Sequence, residues 1–428
     1  MIASLMAAFR IPDLKKRITF LFLMFAVYEL GLHISVPGIN TEALGKVFGD
    51  SNLFNLLDAF TGGAFKQFTI FAMGIMPYIN ASIIMQLLTI AIPQLEALQK
   101  EGAAGQKKIR LYTRWLTGVM ALFQAYGTTI MIKQAGAIPS TGSAFDWHVI
   151  QIVVVLVAGT SFLMYLGEQI SDRGIGNGVS IVIFAGIVSY LPSQIVATIN
   201  VEGVENGRWL VLAILGLMFI ATVAFVVAIT QAQRKIPIQH VKRVVGNKMV
   251  GGSSSFLPLK VNSAGVIPII FALSIMSLPI TVVSFFVHDQ ENIWYRLASG
   301  ISPGGAWYGS LAYAILIIFF TYFYTAVTFN VKEVSDNLKK WGSFIPGIRP
   351  GKPTQEYLDK IMTRITLSGA IFLAIIALLQ YEVPNALNVH SFTLIGGTSL
   401  LIVVGVALET MQAIESHLLM RHYEGFIK

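Results

Sequence analysis

Hydrophobic and polar positions along this chain alternate on a long scale, in place of the two-residue period of a strand or the one-sided stripe of a surface helix. Apolar runs of roughly 18 residues or more, enough to cross a hydrocarbon core about 30 Å thick, recur ten times. They predict helices over 18–36, 67–92, 115–132, 147–167 and 178–198, then over 209–230, 264–287, 306–329, 365–383 and 395–414. Composition agrees. Of 428 residues, 55% are hydrophobic and 12% charged, where a soluble domain carries about 25% charge. An ordinary soluble enzyme is excluded, and the lack of cysteine removes disulfides and thiolate metal sites.

The scarce charges are sorted. Of the 30 Lys and Arg, 25 fall in the termini and alternate loops that lie on one side of a ten-span chain. The positive-inside rule makes that side, with both termini, cytoplasmic. Arg10, Lys15, Lys16 and Arg17 precede the first run, which is long and lacks a small-residue cleavage site. It reads as a retained span.

Two segments repeat. Gly74-Ile75-Met76-Pro77-Tyr78-Ile79 in the second run matches Gly265-Val266-Ile267-Pro268-Ile269-Ile270 in the seventh. Ser180-Ile181-Val182-Ile183 with Gly186 in the fifth matches Ser399-Leu400-Leu401-Ile402 with Gly405 in the tenth. The pairing divides the chain into halves over 1–200 and 201–428. Five spans per half is odd, so the halves face opposite ways. Inverted repeats with interrupted helices point to a pathway between them; Gly and Pro are also common in membrane helices generally.

A solute carrier usually keeps ionisable groups in its spans. Here only Glu29 and Glu409 lie clearly within spans, each toward one end, and both read as interfacial or protein-buried carboxylates. The symmetric positions hold Ile79, Ile270, Ile183 and Ile402, with Ile75 one turn from Ile79 and Ile275 about one turn beyond Ile270. Converging isoleucines would form an apolar constriction that stops ions by dewetting; singly, each could equally pack or face lipid. A secondary transporter built on five-helix inverted repeats is the alternative. Residues 51–60 place Leu53, Leu56, Leu57 and Phe60 at helical spacing beside Phe54, with Gly62 and Gly63 as a stop. Too short to span, this helix fills the outer half of a channel or lies on the outer surface.

Two long loops carry 13 of the 30 basic residues. Residues 231–262 hold six basic and no acidic residues, Lys242 and Arg243 among them; 236–245 followed by Gly246-Asn247 suggests a hairpin. Residues 331–364 hold Lys339, Lys340 and Pro346-Gly347-Ile348-Arg349-Pro350-Gly351, whose turns would hold Arg349 on a tip. Such loops suit a phosphate-rich or acidic partner, or anionic headgroups. No P-loop or HExxH motif occurs. A lone GxSxG at Gly300–Gly304 lacks the strand-turn-helix setting of a nucleophile, so neither a catalytic nor a metal site is expected, and no cofactor.

The motifs resemble one family, SecY, the central subunit of the bacterial protein-conducting channel. The resemblance rests on Phe71-Ala72-Met73-Gly74-Ile75-Met76-Pro77-Tyr78-Ile79, Gly167-Glu168-Gln169-Ile170, Arg173-Gly174-Ile175-Gly176-Asn177-Gly178, Leu257-Pro258-Leu259-Lys260-Val261-Asn262, Asp336-Asn337-Leu338-Lys339-Lys340 and Gly396-Gly397-Thr398-Ser399-Leu400-Leu401-Ile402. It implies an all-α polytopic membrane protein of ten transmembrane helices, in two inverted pseudo-symmetric halves around a central pore. It also implies that unfolded secretory chains are threaded through that pore. The matching ring positions are Ile75, Ile79, Ile183, Ile270, Ile275 and Ile402, and residues 51–64 take the place of a plug. Asn80, Gln124 and Ser274 stand at a lateral gate through which signal peptides and membrane segments reach the lipids. Arg349 and Arg243, with Lys242, Lys339 and Lys340, would dock the ribosome, its RNA included, or the SecA motor ATPase. SecE and SecG are the implied membrane partners.

Overall fold

The predicted runs fold as helices. The computed structural model describes residues 9, 11–39, 61, 63–134, 136–138, 146–200, 207–240, 243–245, 248–250, 254–286, 292–302, 305–387 and 398–424. The helices are α1 Pro12–Leu32, α2 Met76–Ala91, α3 Pro93–Lys100, α4 Ala103–Gln134, α5 Trp147–Arg173, α6 Gly178–Thr198 and α7 Trp209–Gln231. They continue as α8 Ile267–Phe286, α9 Ile293–Ile301, α10 Trp307–Thr328, α11 Val331–Lys340, α12 Lys352–Leu387 and α13 Thr398–Glu424. Among the described residues α5, α6, α7, α10, α12 and α13 are long and apolar enough to cross a membrane, and the α2–α3 pair passes as a seventh span. That pair bends by 99° at Ile92, whose extended backbone (φ −108°, ψ 113°) is what a following proline imposes. The remaining three runs lie in α1, α4 and α8.

The second span corrects the expected helix over 67–92. Helix begins only at Met76, because Gly74 takes φ +55° and Pro77 is accommodated in a first turn, where its missing N–H costs nothing. Residues 63–75 are irregular yet buried, with Phe65, Phe68, Phe71 and Met73 inside the protein. Non-helical backbone survives at membrane depth only when protein satisfies it. Here the stretch following α1 does so: Val36 N–H donates to Phe68 O and Ile70 N–H to Ile34 O, both at 3.0 Å.

Helices from before residue 200 meet those from after it along two seams. In one, α13 packs on α6; in the other, α8 packs on α2 and α4. Within each set the neighbours in sequence pack pairwise, α4 on α5 and α10 on α12.

The two basic loops fold as one body. Strand β1 Gln233–His240 pairs antiparallel with β4 Ser254–Lys260, from Gln233↔Lys260 to Gln239↔Ser254. On its other edge it pairs with β5 Ser343–Phe344, and His240 Nδ1 is hydrogen-bonded to Ser343 Oγ at 2.7 Å. The expected single strand over 236–245 is divided between β1 and β2 Arg243–Val245, and β2 pairs antiparallel with β3 Lys248–Val250; Gly246-Asn247 lies outside the described residues. Ile236, Ile238 and Leu259 from the sheet join Leu338, Ile345 and Leu358 in a small separate core. Leu14 and Ile18 of α1, Ile175 between α5 and α6, and Ile414 of α13 form another. Both lie with the basic segments, so the described parts of that face are held together by apolar contacts as well.

Candidate functional site

The two repeated segments build the same object. Gly265, like Gly74, is left-handed, at φ +64°, and Pro268, like Pro77, is the second residue of its helix. Ile79 N–H then closes the first turn on Ile75 O at 3.1 Å, and its counterpart Ile270 N–H on Val266 O at 3.4 Å. Each break therefore ends where an isoleucine of the symmetric set begins. The second repeat behaves likewise: Ile183 follows the start of α6 and Ile402 the start of α13, each within the first two turns.

Ile75, Ile79, Ile183, Ile270 and Ile402 all belong to one buried apolar cluster, from 9% exposure at Ile270 to 1% at Ile402. Four helices and both sequence halves contribute. Ile275 is not among them; it is 36% exposed, since it lies on α8 at a different angle from Ile270. The cluster is apolar, and Glu29 and Glu409 make their contacts elsewhere. Glu29 accepts a hydrogen bond from Ser189. Glu409 lines a small polar pocket with Thr230, Lys260, Asn262 and Gly265 beneath the sheet, where Lys260 Nζ donates to Gln412 Oε1 at 3.0 Å.

Along the α8 seam, Ser274 is buried, Gln124 is half-buried, and Asn80 holds a buried Oδ1 without a partner. Leu53, Phe54, Leu56, Leu57, Phe60 and Gly62 lie outside the described residues, as does Lys242. Gly63 is described, with φ +84° and Tyr190 beside it.

On the basic body, Arg349 is exposed between Gly347 (φ +82°) and Gly351 (φ +104°). Only glycine takes such angles without strain. Thr354 Oγ1 donates to Arg349 O at 2.8 Å and Ser335 Oγ to Gly351 O at 3.0 Å, so the loop is pinned while its guanidinium points out. Lys339 and Lys340 are exposed at the end of α11, which buries Leu338 and Ser335. Arg243 lies in β2.

Sequence reasoning missed two buried residues. Gln380 of α12 accepts hydrogen bonds from Thr398 N at 3.0 Å and from Thr398 Oγ1. The available signal was an uncharged polar side chain deep in the ninth apolar run.

The SecY family model matches residues 69–411. The chain belongs to the SecY family. Among curated SecY relatives, the protein translocase subunit SecY of Streptomyces galbus is 43% identical over 100% of both chains. That of Pseudomonas aeruginosa is 44% identical over 98% of this chain and 94% of its own. Solved structures share the fold. One described as a protein conducting channel superposes with TM-score 0.63 at 20% identity, covering 94% of this chain and 92% of the other. Sec61 in a canine ribosome-channel complex gives TM-score 0.61 at 18% identity, covering 94% and 92%. The SecY fold is an all-α, multi-pass membrane protein with ten transmembrane helices in two halves.

Proposed function

We infer that this chain is a protein-conducting channel that passes unfolded polypeptides across a membrane and releases apolar segments sideways into it. The observation that carries this reading is that five symmetric isoleucines from α2, α6, α8 and α13 lie in one buried apolar cluster of a SecY-family chain. Apolar contacts are non-directional, so such a ring accommodates any side chain. A dry apolar neck resists ions because wetting it is unfavourable. Ile275, about one turn further along α8, is the sixth position of the ring. The inverted-repeat transporter is disfavoured, because the converging positions offer a solute no polar group.

The halves are 1–200 and 201–428, and residues 51–64 act as a plug from the outer side. Asn80, Gln124 and Ser274 line the seam where α8 leaves α2 and α4, which admits signal peptides toward the lipids. The basic body faces the cytoplasm of a bacterial cell, as do both termini, in the inner membrane. Arg349, Arg243, Lys242, Lys339 and Lys340 dock the ribosome or the SecA motor, and SecE and SecG complete the channel. Ribosome docking is supported by similar channels solved with ribosomes, the canine Sec61 complex and a yeast Ssh1 complex bound to the 80S ribosome.

The test is a secretory chain stalled in the reconstituted channel. It should crosslink to probes at Ile79 and Ile270, and replacing Ile79, Ile183, Ile270 and Ile402 with Ser should raise resting ion conductance severalfold. No crosslink and an unchanged conductance would remove the channel reading. For docking, Arg349→Glu should abolish motor-driven export while the protein remains folded; full export would remove Arg349 from the docking surface.

A further inference from the structure

We propose that Gln380 is the positioning residue of the ring: it fixes the axial position of Ile402 by tying the start of α13 to α12. The proposal rests on the ring reading above and deepens it.

The first N–H groups of a helix have no partner within the helix, and inside a membrane no bulk water replaces one. The repeat shows two solutions to that problem. At α6 the answer is local: the Asn177 side chain accepts from Val179 N at 3.1 Å and Ser180 N at 3.5 Å, on an exposed turn. Aligning Ser399-Leu400-Leu401-Ile402 with Ser180-Ile181-Val182-Ile183 puts Thr398 where Val179 stands. The Thr398 N–H also meets a side-chain amide oxygen, but that oxygen belongs to Gln380 on α12, at 3.0 Å. Thr398 Oγ1 donates to the same atom, and both residues are fully buried, at 0% exposure. Nearby, Tyr313 and Tyr381 sit ring to ring at 6.1 Å, and their hydroxyls, Ser399 Oγ and Gln380 Nε2 have no hydrogen-bond partner among the described residues. Gln380–Thr398 is thus the pairing made at a junction where other polar groups stay unpaired.

The two caps differ mechanically. Asn177 belongs to the segment that it caps and moves with α6, so it sets no position relative to a neighbour. Gln380 sits on another helix and locks α13 against it. Ile402 is one turn further on, about 6 Å along the axis at 1.5 Å per residue, so fraying or sliding of the first turn of α13 displaces it.

The chain has no cysteine, which makes a single Ile402→Cys reporter clean in the full reconstituted channel. Alkylation of that cysteine by a water-soluble maleimide and resting ion conductance are measured together, the latter with Ile402 intact. Gln380→Met keeps the length and loses the acceptor; it should raise both rates severalfold. Thr398→Val, which keeps the N–H bond and loses the hydroxyl, should give a smaller rise. Thr398→Ser keeps both donors and should match the parent, and Asn177→Ala should leave conductance unchanged. Unaltered alkylation and conductance in Gln380→Met and Thr398→Val would overturn the proposal while leaving the ring intact, provided Ile402→Ser leaks. If Ile402→Ser does not leak, the ring reading falls separately. The alkylation rate then decides the Gln380 assignment: a severalfold change supports it and none overturns it.

Discussion

The break before α2 and the break before α8 share one backbone and live in opposite surroundings. Both have a left-handed glycine and then a proline in the first helical turn. Gly74 is wedged in apolar protein: a β-carbon there would stand 2.9 Å from the Thr61 methyl, and Thr61 is buried. Gly265 opens on the polar pocket under the sheet, where a β-carbon would meet only Glu409 Oε1, at 3.6 Å. The break is therefore a local instruction carried by Gly-x-x-Pro. What packs against it follows from the inverted topology, which puts an irregular membrane segment before α2 and a strand of the basic body before α8.

That contrast predicts unequal costs. Gly74→Ala should lose about 2–4 kcal/mol of stability, from left-handed strain together with overpacking. Gly265→Ala should lose about 1–2 kcal/mol, from strain alone. Denaturation midpoints of the two variants in nanodiscs measure the difference, and equal losses would break the comparison.

A smaller asymmetry sits at corresponding corners of the halves, where the third span starts beside the end of the fourth and the eighth beside the end of the ninth. Arg114 donates to Glu168 through two bonds of 2.6 Å. The other corner has Ser310 Oγ donating to Glu382 Oε1 at 3.1 Å. Glu168→Ala should cost about 1 kcal/mol, discounted for a partly exposed pair, and the loss should shrink in high salt. Ser310→Ala should cost about 0.5 kcal/mol with little salt dependence. The same salt response in both variants would contradict the assignment.

How legible these features were depends on the range of the interactions behind them. The helix over 178–198 was readable from its apolar run and ended at the expected residues, because partitioning into a bilayer depends on composition over one segment. The run over 67–92 was readable as a span broken by Gly and Pro, but not how much of it is non-helical: apolar length alone cannot say how far backbone will unwind, and the partner that permits unwinding, residues 34–36, follows another span. The antiparallel pairing of β2 with β3 was readable as a hairpin, whereas the pairing of β1 with β5 joins residues about a hundred positions apart and leaves no local trace. Of the six aligned isoleucines, five are buried in one apolar cluster and Ile275 is exposed, since an alignment by turns ignores the angle at which each side chain leaves its helix.

The sequence by itself determined that this chain is a multi-pass membrane protein, where its charges gather, and that Gly74 and Gly265 interrupt their spans. These depend on hydration, on charge counts and on backbone sterics, all local properties. Only the tertiary structure decided which isoleucines are buried in one cluster, that two basic loops share one core, and that the first N–H of α13 is answered by Gln380. Each of those is a contact between distant residues, and neither residue's local surroundings specify what the fold will bring opposite it.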